Sequence, residues 1–216
     1  MNNSVSVFMP IRLNSQRIKN KSIVDVMGRP MFCWSLETLD KIGTKIYVYT
    51  NEEDILRKNI DFASSNIEFV KRPKYLDEHN TKGIDIYKEF SRQVASDIYM
   101  LVHCTSPFVK KSTYEKVINA VTQEGYDSSC TVEKKQTFSW YKGDPINFSI
   151  PRKRTQELEP LYIENSAAYC YRSNVLESNS RSGKKHKLIV SKGIENLDID
   201  EKCDLEFINN REFKRW

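Results

Sequence analysis

The stretch Ser4–Pro30, SVSVFMPIRLNSQRIKNKSIVDVMGRP, decides the fold. It begins with an apolar run of the length and composition that a short buried strand has. A loop crowded with cationic and hydrogen-bond-donating side chains follows, and Pro30 suits the first turn of a helix. The loop carries Arg12, Asn14, Ser15, Gln16, Arg17, Lys19, Asn20, Lys21 and Ser22. Because Arg and Lys both bind phosphate oxygens, a strand opening into this loop predicts an anion site, most simply for a polyphosphate. Taken alone, such a charged loop is more often solvated surface.

Strands and helices alternate from this stretch as far as residue 132. Apolar runs predict strands at 5–9, 45–50, 67–70, 97–103 and 127–132. Helical spacing predicts helices at 31–39, from residue 52, at 81–94 and at 110–123. Two more strands are predicted at 167–171 and 188–190, and a last helix from Glu201. This alternation predicts an α/β fold, with a mainly parallel sheet flanked by helices, and a single domain over residues 1–216.

Residues 133–164, EKKQTFSWYKGDPINFSIPRKRTQELEPLYIE, break the rhythm. The segment is polar and holds three prolines, yet it also carries Phe138, Trp140, Tyr141 and Phe148. It is either a long surface loop or an arm whose aromatic residues pack on a partner subunit.

Composition excludes several classes of protein. The chain has 216 residues, of which 39% are hydrophobic and 29% charged, with a net charge of +5. No run approaches the ~20 apolar residues of a membrane span, and the beginning of the chain does not resemble a signal peptide. Five widely spaced cysteines without a CxxC pair suit reduced thiols in the cytoplasm. The mild charge and the lack of zinc or helix-turn-helix patterns argue against nucleic-acid binding. Dinucleotide and P-loop motifs are also missing.

Polar residues follow the predicted strands at one edge of the sheet, where ligands bind in α/β folds. Asp198 and Asp200 stand two residues apart, so in an extended segment both carboxylates face the same side. Two carboxylates together with substrate oxygens are a usual Mg²⁺ site in nucleotide chemistry. The alternative is that Asp200 caps the last helix and Asp198 is solvated.

The motifs resemble those of a known family. Pro10-x-Arg12-x-x-Ser15-x-Arg17-Ile18-x-x-Lys21, followed by Gly28-Arg29-Pro30-Met31, resembles the N-terminal motif of the acylneuraminate cytidylyltransferases. This family makes CMP-linked sialic, Kdo, pseudaminic and legionaminic acids. HCTSPF resembles its Q-P-T-S-P-L turn, EPLYIENSAAYCY its N-G-A-x-Y segment, and DIDEKCDL its D-I-D-T-x-x-D-L ending.

The resemblance implies a Rossmann-like nucleotidyltransferase fold that transfers CMP from CTP to an acidic sugar with release of pyrophosphate. It implies Mg²⁺ on Asp198 and Asp200, catalytic roles for Arg12, Lys21 and Asp200, and a cytoplasmic homodimer built by the 133–164 arm, with no nucleic-acid or membrane partner. The nucleotide-binding residues it implies are Arg12, Asn14, Ser15, Gln16, Lys21, Ser22, Arg72, Thr81 and Gly83. The acceptor-binding residues are His103, Thr105, Ser106, Arg154, Asn165 and Tyr169.

This sequence departs from the family pattern on both sides of the site. Gln16 replaces a Lys, and Ser22 replaces an Asn that contacts cytosine, so the choice of base is less secure than nucleotidyl transfer. On the acceptor side His103 replaces Gln, Ser166 replaces Gly, and the aligned arginine falls on Thr155. Arg154, or its neighbour Arg152, is the substitute that the sequence offers. These changes leave open a Kdo-like acid or a phosphonate as acceptor, or a non-catalytic homologue.

Overall fold

The computed structural model describes residues 3–78 and 80–210. Its strands are β1 Val5–Pro10, β2 Asp25–Val26, β3 Arg29–Pro30, β4 Ile46–Thr50, β5 Ile67–Lys71, β6 Ile98–Val102, β7 Ser128–Lys135, β8 Trp140–Tyr141, β9 Asp144–Pro145, β10 Leu161–Arg172 and β11 His186–Ser191. Its α-helices are α1 Met31–Asp40, α2 Glu53–Asn59, α3 Gly83–Gln93, α4 Lys111–Thr122 and α5 Lys202–Asn209. The predicted helices and strands agree with these bounds except near the arm.

A seven-stranded sheet forms the centre, with the strand order β11-β7-β10-β6-β1-β4-β5. Six of these strands run parallel to a neighbour, as the alternation predicted, while β10 is antiparallel to both β6 and β7. The chain reaches β10 through the arm rather than through a crossover helix, so it returns in the opposite direction. The mainly parallel α/β sheet is therefore confirmed.

Side chains on β1 alternate between two cores, one on each face of the sheet. Val7 and Met9 pack in the core that includes residues of α1, α4 and α5. Phe8 packs in the other core, where its ring stacks on Phe90 of α3 with 4.3 Å between centroids. Apolar residues from the short helical segment Ser173–Ser178 complete that second core. The two-sided burial explains why β1 reads as a continuous apolar run.

Arg29 fixes the far end of the first loop. Its guanidinium donates to Glu37 of α1 at 2.6 Å and to both carboxylate oxygens of Asp61 at 2.7 Å. The hydrogen bonds of Arg29 hold the pKa of Glu37 and of Asp61 below their usual values. The loop between Pro10 and Arg29 therefore lies between two anchored ends.

The arm at 133–164 contains more regular secondary structure than a long surface loop would have. β7 extends to Lys135 and β10 begins at Leu161, so the two strands pair beyond the main sheet. The predicted strand 167–171 was therefore too short, because the ladder continues into a segment whose composition reads as polar loop. At the tip, Trp140 and Tyr141 pair in the small β8–β9 hairpin and remain 53% and 63% exposed.

Two further findings concern the whole described chain. None of its described helices combines the length and the apolar character needed to cross a membrane. All five cysteines are free thiols, and four of them are buried.

Candidate active site

Three segments meet at the carboxyl edge of the sheet. The first loop leaves β1, the turn 103–107 leaves β6, and the segment Leu197–Asp200 precedes α5. The backbone amide of Ile199 donates to the carbonyl of Thr105 at 2.8 Å, which ties the third segment to the second. The predicted convergence of these residues at one edge is therefore present.

Asp200 lies between two cations of the first loop. Lys21 Nζ donates to its Oδ1 at 2.5 Å, and Arg17 Nη2 donates to its Oδ2 at 2.9 Å. Burial opposes ionisation of this carboxyl, but the Lys21 hydrogen bond and charge, reinforced by Arg17, leave its pKa below the usual value. Asp200 does not cap the last helix. The carboxylate of Asp204 takes the backbone amides of Asp200 and Glu201 at 2.9 and 2.7 Å instead.

The pKa of Asp198 is shifted in the opposite direction from that of Asp200. Its Oδ1 is buried and finds no hydrogen-bond partner among the described residues. Burial raises the pKa of this carboxyl, although a hydrogen bond from the side chain of Thr105 opposes the rise. An unpaired buried carboxylate oxygen beside a second carboxylate suits a hard cation. Within the described residues no group of three or more His, Cys, Asp or Glu side chains forms a cation site. A Mg²⁺ ion held by the two carboxylates would therefore need its other ligands from substrate and water.

The first loop encloses a small polar cavity of about 270 Å³ next to this pair. It is lined by Arg12, Ser15, Gln16, Arg17 and Lys21. Three of these side chains are cationic, which makes the cavity suited to phosphate oxygens. Ser22, predicted to bind nucleotide, is buried instead and accepts a weak hydrogen bond from Cys104 at 3.6 Å.

A second, larger cavity of about 630 Å³ shares Arg12 with the first. It is lined by Arg12, Leu13, Asn14, Glu52, Lys74, Tyr75, Asp77 and Glu78. The buried guanidinium of Arg72 donates to the carboxylate of Asp77. Arg12 and Asn14 both donate to the backbone carbonyl of Asp77, at 3.3 and 3.1 Å. The predicted nucleotide-binding residues Arg12, Asn14 and Arg72 are thus brought together by a residue that the sequence analysis did not single out.

Thr81 and Gly83 lie at the start of α3. The Thr81 hydroxyl donates to the carbonyl of Tyr75, 3.3 Å away. A Cβ on Gly83 would come within 2.8 Å of the Tyr87 hydroxyl, so any larger residue here would have to displace the Tyr87 side chain. Thr81 is therefore connected to the larger cavity through its hydrogen bond to Tyr75, which is one of the residues that line the cavity.

His103 lies close enough to Lys21 and Asp200 for both charges to act on its ring. Its Nδ1 lies 2.7 Å from the carbonyl of Ser166, which can only accept, so Nδ1 carries the proton and Nε2 is an acceptor. Burial lowers the pKa of His103 to about 4, so the ring is neutral at neutral pH. The resulting neutral ring is a hydrogen-bonding group rather than a strong base.

Tyr169 lies beside His103, with 6.2 Å between ring centroids. Its hydroxyl donates to Glu164 at 2.9 Å, and the guanidinium of Arg181 stacks 3.6 Å above its ring. Arg181 also contacts Glu164 at 3.5 Å and the Tyr87 hydroxyl at 3.3 Å. A cation beside the predicted acceptor residues is thus supplied by Arg181, which the sequence analysis missed because no motif or period surrounds it.

Of three other predicted acceptor residues, two make hydrogen bonds within the fold and one is exposed. Ser106 is buried, and its carbonyl accepts from Ser35 at 3.3 Å. Asn165 uses its amide within the fold, donating to Ser191 at 2.6 Å and to Asn196 at 3.0 Å. Arg154 is exposed on the arm. Their roles toward an acceptor remain predictions.

Ser166 adopts a backbone conformation that explains the glycine in the family pattern. Its φ is +60°, a left-handed value that costs a non-glycine residue about 1–3 kcal/mol. The same residue presents its carbonyl to His103. The turn is therefore kept in this chain at the cost of local strain.

Comparisons with known proteins agree with this arrangement. An N-acylneuraminate cytidylyltransferase A of Danio rerio is 24% identical over 212 residues, which cover 93% of this chain and 49% of that protein. This chain thus spans about half the length of that relative. A pseudaminic acid cytidylyltransferase of Campylobacter jejuni is 25% identical over 218 residues, which cover 92% of each chain.

The solved structure of a CMP:2-keto-3-deoxy-manno-octonic acid synthetase complexed with CTP superposes with a TM-score of 0.65. It is 16% identical and covers 99% of this chain and 100% of that one, so it confirms the predicted nucleotidyltransferase fold. The cytidylyltransferase family matches residues 7–214, which include all of the motifs described above. The chain therefore belongs to the cytidylyltransferase family.

Proposed function

We propose that this protein transfers CMP from CTP to an acidic sugar of the nonulosonic or Kdo type and releases pyrophosphate. The observation that carries the proposal is the ion pair between Lys21 Nζ and Asp200 Oδ1, which are 2.5 Å apart. This ion pair, called the junction below, lies beside the buried Oδ1 of Asp198, which has no hydrogen-bond partner among the described residues. This junction adjoins the cationic cavity of the first loop, and the charges of Lys21 and Asp200 both act on the ring of His103. Nucleotide and acceptor would therefore meet there.

The transfer is an in-line displacement at the α-phosphorus. An acceptor hydroxyl, on the resemblance the anomeric 2-hydroxyl, forms the new P–O bond as the bond to the β-phosphate oxygen breaks. Arg12 and Lys21 neutralise charge on the triphosphate and on the departing pyrophosphate. Asn14, Ser15 and Gln16 orient the nucleotide, and His103 and Tyr169 face the acceptor.

Asp198 and Asp200 would hold Mg²⁺ at the junction. When bound, the ion would lower the pKa of a coordinated hydroxyl and neutralise phosphate charge. Lys21 and Arg17 keep Asp200 ionised, which prepares the pair for a cation. The acceptor hydroxyl, with its pKa lowered in this way, would release its proton to water, so the transfer would need no separate general base; His103, with a pKa lowered by burial, is a weak base.

A panel of acceptors tests the proposal and names the substrate. Pyrophosphate release would be measured with Mg²⁺, CTP and N-acetylneuraminic, legionaminic, pseudaminic or Kdo acid, or a simple phosphonate. We expect release with one of the sugar acids, since the cation of Arg181 beside Tyr169 suits a carboxylate. Release with the phosphonate alone would keep the chemistry and overturn the acceptor class. CTP binding without release from any acceptor would favour a non-catalytic homologue.

We also propose a cytoplasmic homodimer built by the arm, serving glycan or polysaccharide synthesis. The exposed apolar residues of the arm support the dimer: Trp140, Tyr141, Ile146, Ile150, Tyr162 and Ile163. Light scattering should give twice the 25.3 kDa chain mass. The double variant Trp140→Ser, Tyr141→Ser should shift the protein toward the monomer, whereas a monomeric wild type would refute the dimer.

A further inference from the structure

Asp198 lies in a segment that is anchored on both sides of it. On the preceding side, the carboxylate of Glu195 accepts from the backbone amide of Lys110 at 3.0 Å and from the hydroxyl of Thr113 at 2.6 Å, and it is buried. On the following side, the amide of Ile199 donates to the turn after β6. Neighbouring residues therefore fix the backbone around Asp198, while its Oδ1 has no partner among the described residues.

Asn196 adds a third anchor through a closed set of side-chain hydrogen bonds. Its Oδ1 accepts from the hydroxyl of Ser191 at 2.6 Å and from Nδ2 of Asn165 at 3.0 Å. Asn165 Nδ2 also donates to the Ser191 hydroxyl, at 2.6 Å, so these three side chains form what we call the polar triangle. Ser191 is only 3% exposed, and a buried polar network whose members are satisfied fixes a single arrangement.

Asn165 uses both of its side-chain donors inside the polar triangle. A carboxamide has two N–H groups, and those of Asn165 go to Ser191 and Asn196. Its Oδ1 accepts from the backbone amide of Ala167 at 3.4 Å. The resemblance assigns Asn165 to acceptor binding, but the donors that would bind a sugar hydroxyl or carboxylate are already occupied. The geometry therefore gives this side chain a task within the fold.

The residues that follow Asn165 hold His103. The carbonyl of Ser166 accepts from His103 Nδ1 at 2.7 Å. The carbonyl of Ala167 accepts from the His103 backbone amide at 3.2 Å. The polar triangle thus connects the part of β10 that orients His103 with the segment that carries Asp198, so a change within the triangle would reach both.

We propose that the polar triangle is a set of positioning residues that holds Asp198 where it can ligate Mg²⁺, an inference that rests on the metal-dependent transfer proposed above. Its three members act through Asp198 rather than by touching the cation or the acceptor. Residues that orient a metal ligand in this way typically contribute about 10- to 100-fold in metal affinity or activity. The triangle also keeps Asp198 and His103 in a fixed relative position.

Binding of Mn²⁺, used in place of Mg²⁺, to the protein with CTP and without acceptor tests this assignment. Water proton relaxation distinguishes Mn²⁺ in the protein–CTP complex from Mn²⁺ on CTP alone. Ser191→Ala removes the hydroxyl shared by both asparagines and should weaken Mn²⁺ binding about tenfold. Asn165→Ala should weaken it at least as much, and it serves if Ser191→Ala fails to fold. Because no acceptor is present, neither effect can come from a lost contact with the sugar.

Ser129→Ala is the matched control. Ser129 is another buried serine of the central sheet, and its hydroxyl donates to the backbone carbonyl of Val117 at 2.7 Å. Thermal melting should show a loss of stability in both serine variants, because each loses a buried hydrogen-bonding hydroxyl. Only Ser191→Ala should lose Mn²⁺ affinity. In the transfer reaction its kcat should fall about tenfold, while its KM for the acceptor should stay within about threefold of wild type.

Unchanged Mn²⁺ binding in both Ser191→Ala and Asn165→Ala, or an equal weakening in Ser129→Ala, would overturn the assignment. A wild type that binds no Mn²⁺ beyond that on CTP would do the same. A raised acceptor KM in Asn165→Ala with unchanged Mn²⁺ binding would instead place Asn165 at the acceptor, and the positioning role would be lost. Weaker Mn²⁺ binding in the triangle variants, combined with no pyrophosphate release by the wild type, would uphold the positioning role and remove the proposed transfer.

Discussion

Asp200→Asn should lower the rate of pyrophosphate release about 100- to 1,000-fold while leaving CTP binding nearly unchanged. The substitution keeps an oxygen that can accept from Lys21, now 2.5 Å from Oδ1, but removes the negative charge from the cation pair. Asp198 alone, with a pKa raised by burial, would then hold Mg²⁺ poorly. The fold should tolerate the change, because the Asp200 side chain is 39% exposed and the capping box of α5 is formed by Glu201 and Asp204.

Glu201→Gln is the matched control. Glu201 also pairs with Arg17, at 3.0 Å, and its replacement removes one negative charge from the next residue along the chain. Its turnover should stay within about threefold of wild type, since surface ion pairs contribute little. Equal losses in the two variants would show that charge near the loop, and not a ligand at Asp200, sets the rate. Asp198→Asn should behave like Asp200→Asn.

The fold could be predicted because its signals are local. Val7, Phe8 and Met9 form a continuous apolar run of the kind that a short strand buried on both faces has, and Pro30 marks the start of α1. The Asp198–Asp200 spacing is equally local, so the carboxylate pair was visible in the sequence. What argues against Asp200 as a cap is Asp204, whose hydrogen bonds to the amides of residues 200 and 201 no spacing rule reveals.

The contacts that complete the site are not local. Arg72 meets Asp77 through a short helical segment, but Asn51, which fixes the same carboxylate, is 26 residues away in sequence. Arg181 reaches Tyr169 from a loop with no periodicity. The direction of β10 also escaped prediction, because the arm that precedes it reads as polar loop although its ends pair as strands. Pairings of this kind depend on tertiary packing rather than on pattern.

Lys21→Met should lower kcat/KM for CTP about 100-fold. The side chain of Lys21 is only 12% exposed, against 54% for Arg17 of the same loop cavity. A charge pair at 4 Å near a protein surface is worth about 4 kcal/mol, and water together with Arg12 would recover part of it. Without Lys21, the triphosphate would also face Asp200 with one cation fewer. Steady-state kinetics over a range of CTP concentrations would measure the loss.

Lys19→Met and Lys21→Arg make the result specific. Lys19 is exposed on the same loop, so its removal changes the net charge equally and should leave kcat/KM within about twofold of wild type. Lys21→Arg keeps the charge but replaces a compact ammonium with a planar fork, and it should recover about a tenth of the wild-type rate. If Lys21→Met and Lys19→Met gave the same kinetics, the first loop would act through its overall charge, and the contact between Lys21 and Asp200 would be structural. A large loss in Lys21→Met alone, partly restored by arginine, would instead place the ammonium group at the phosphates during transfer.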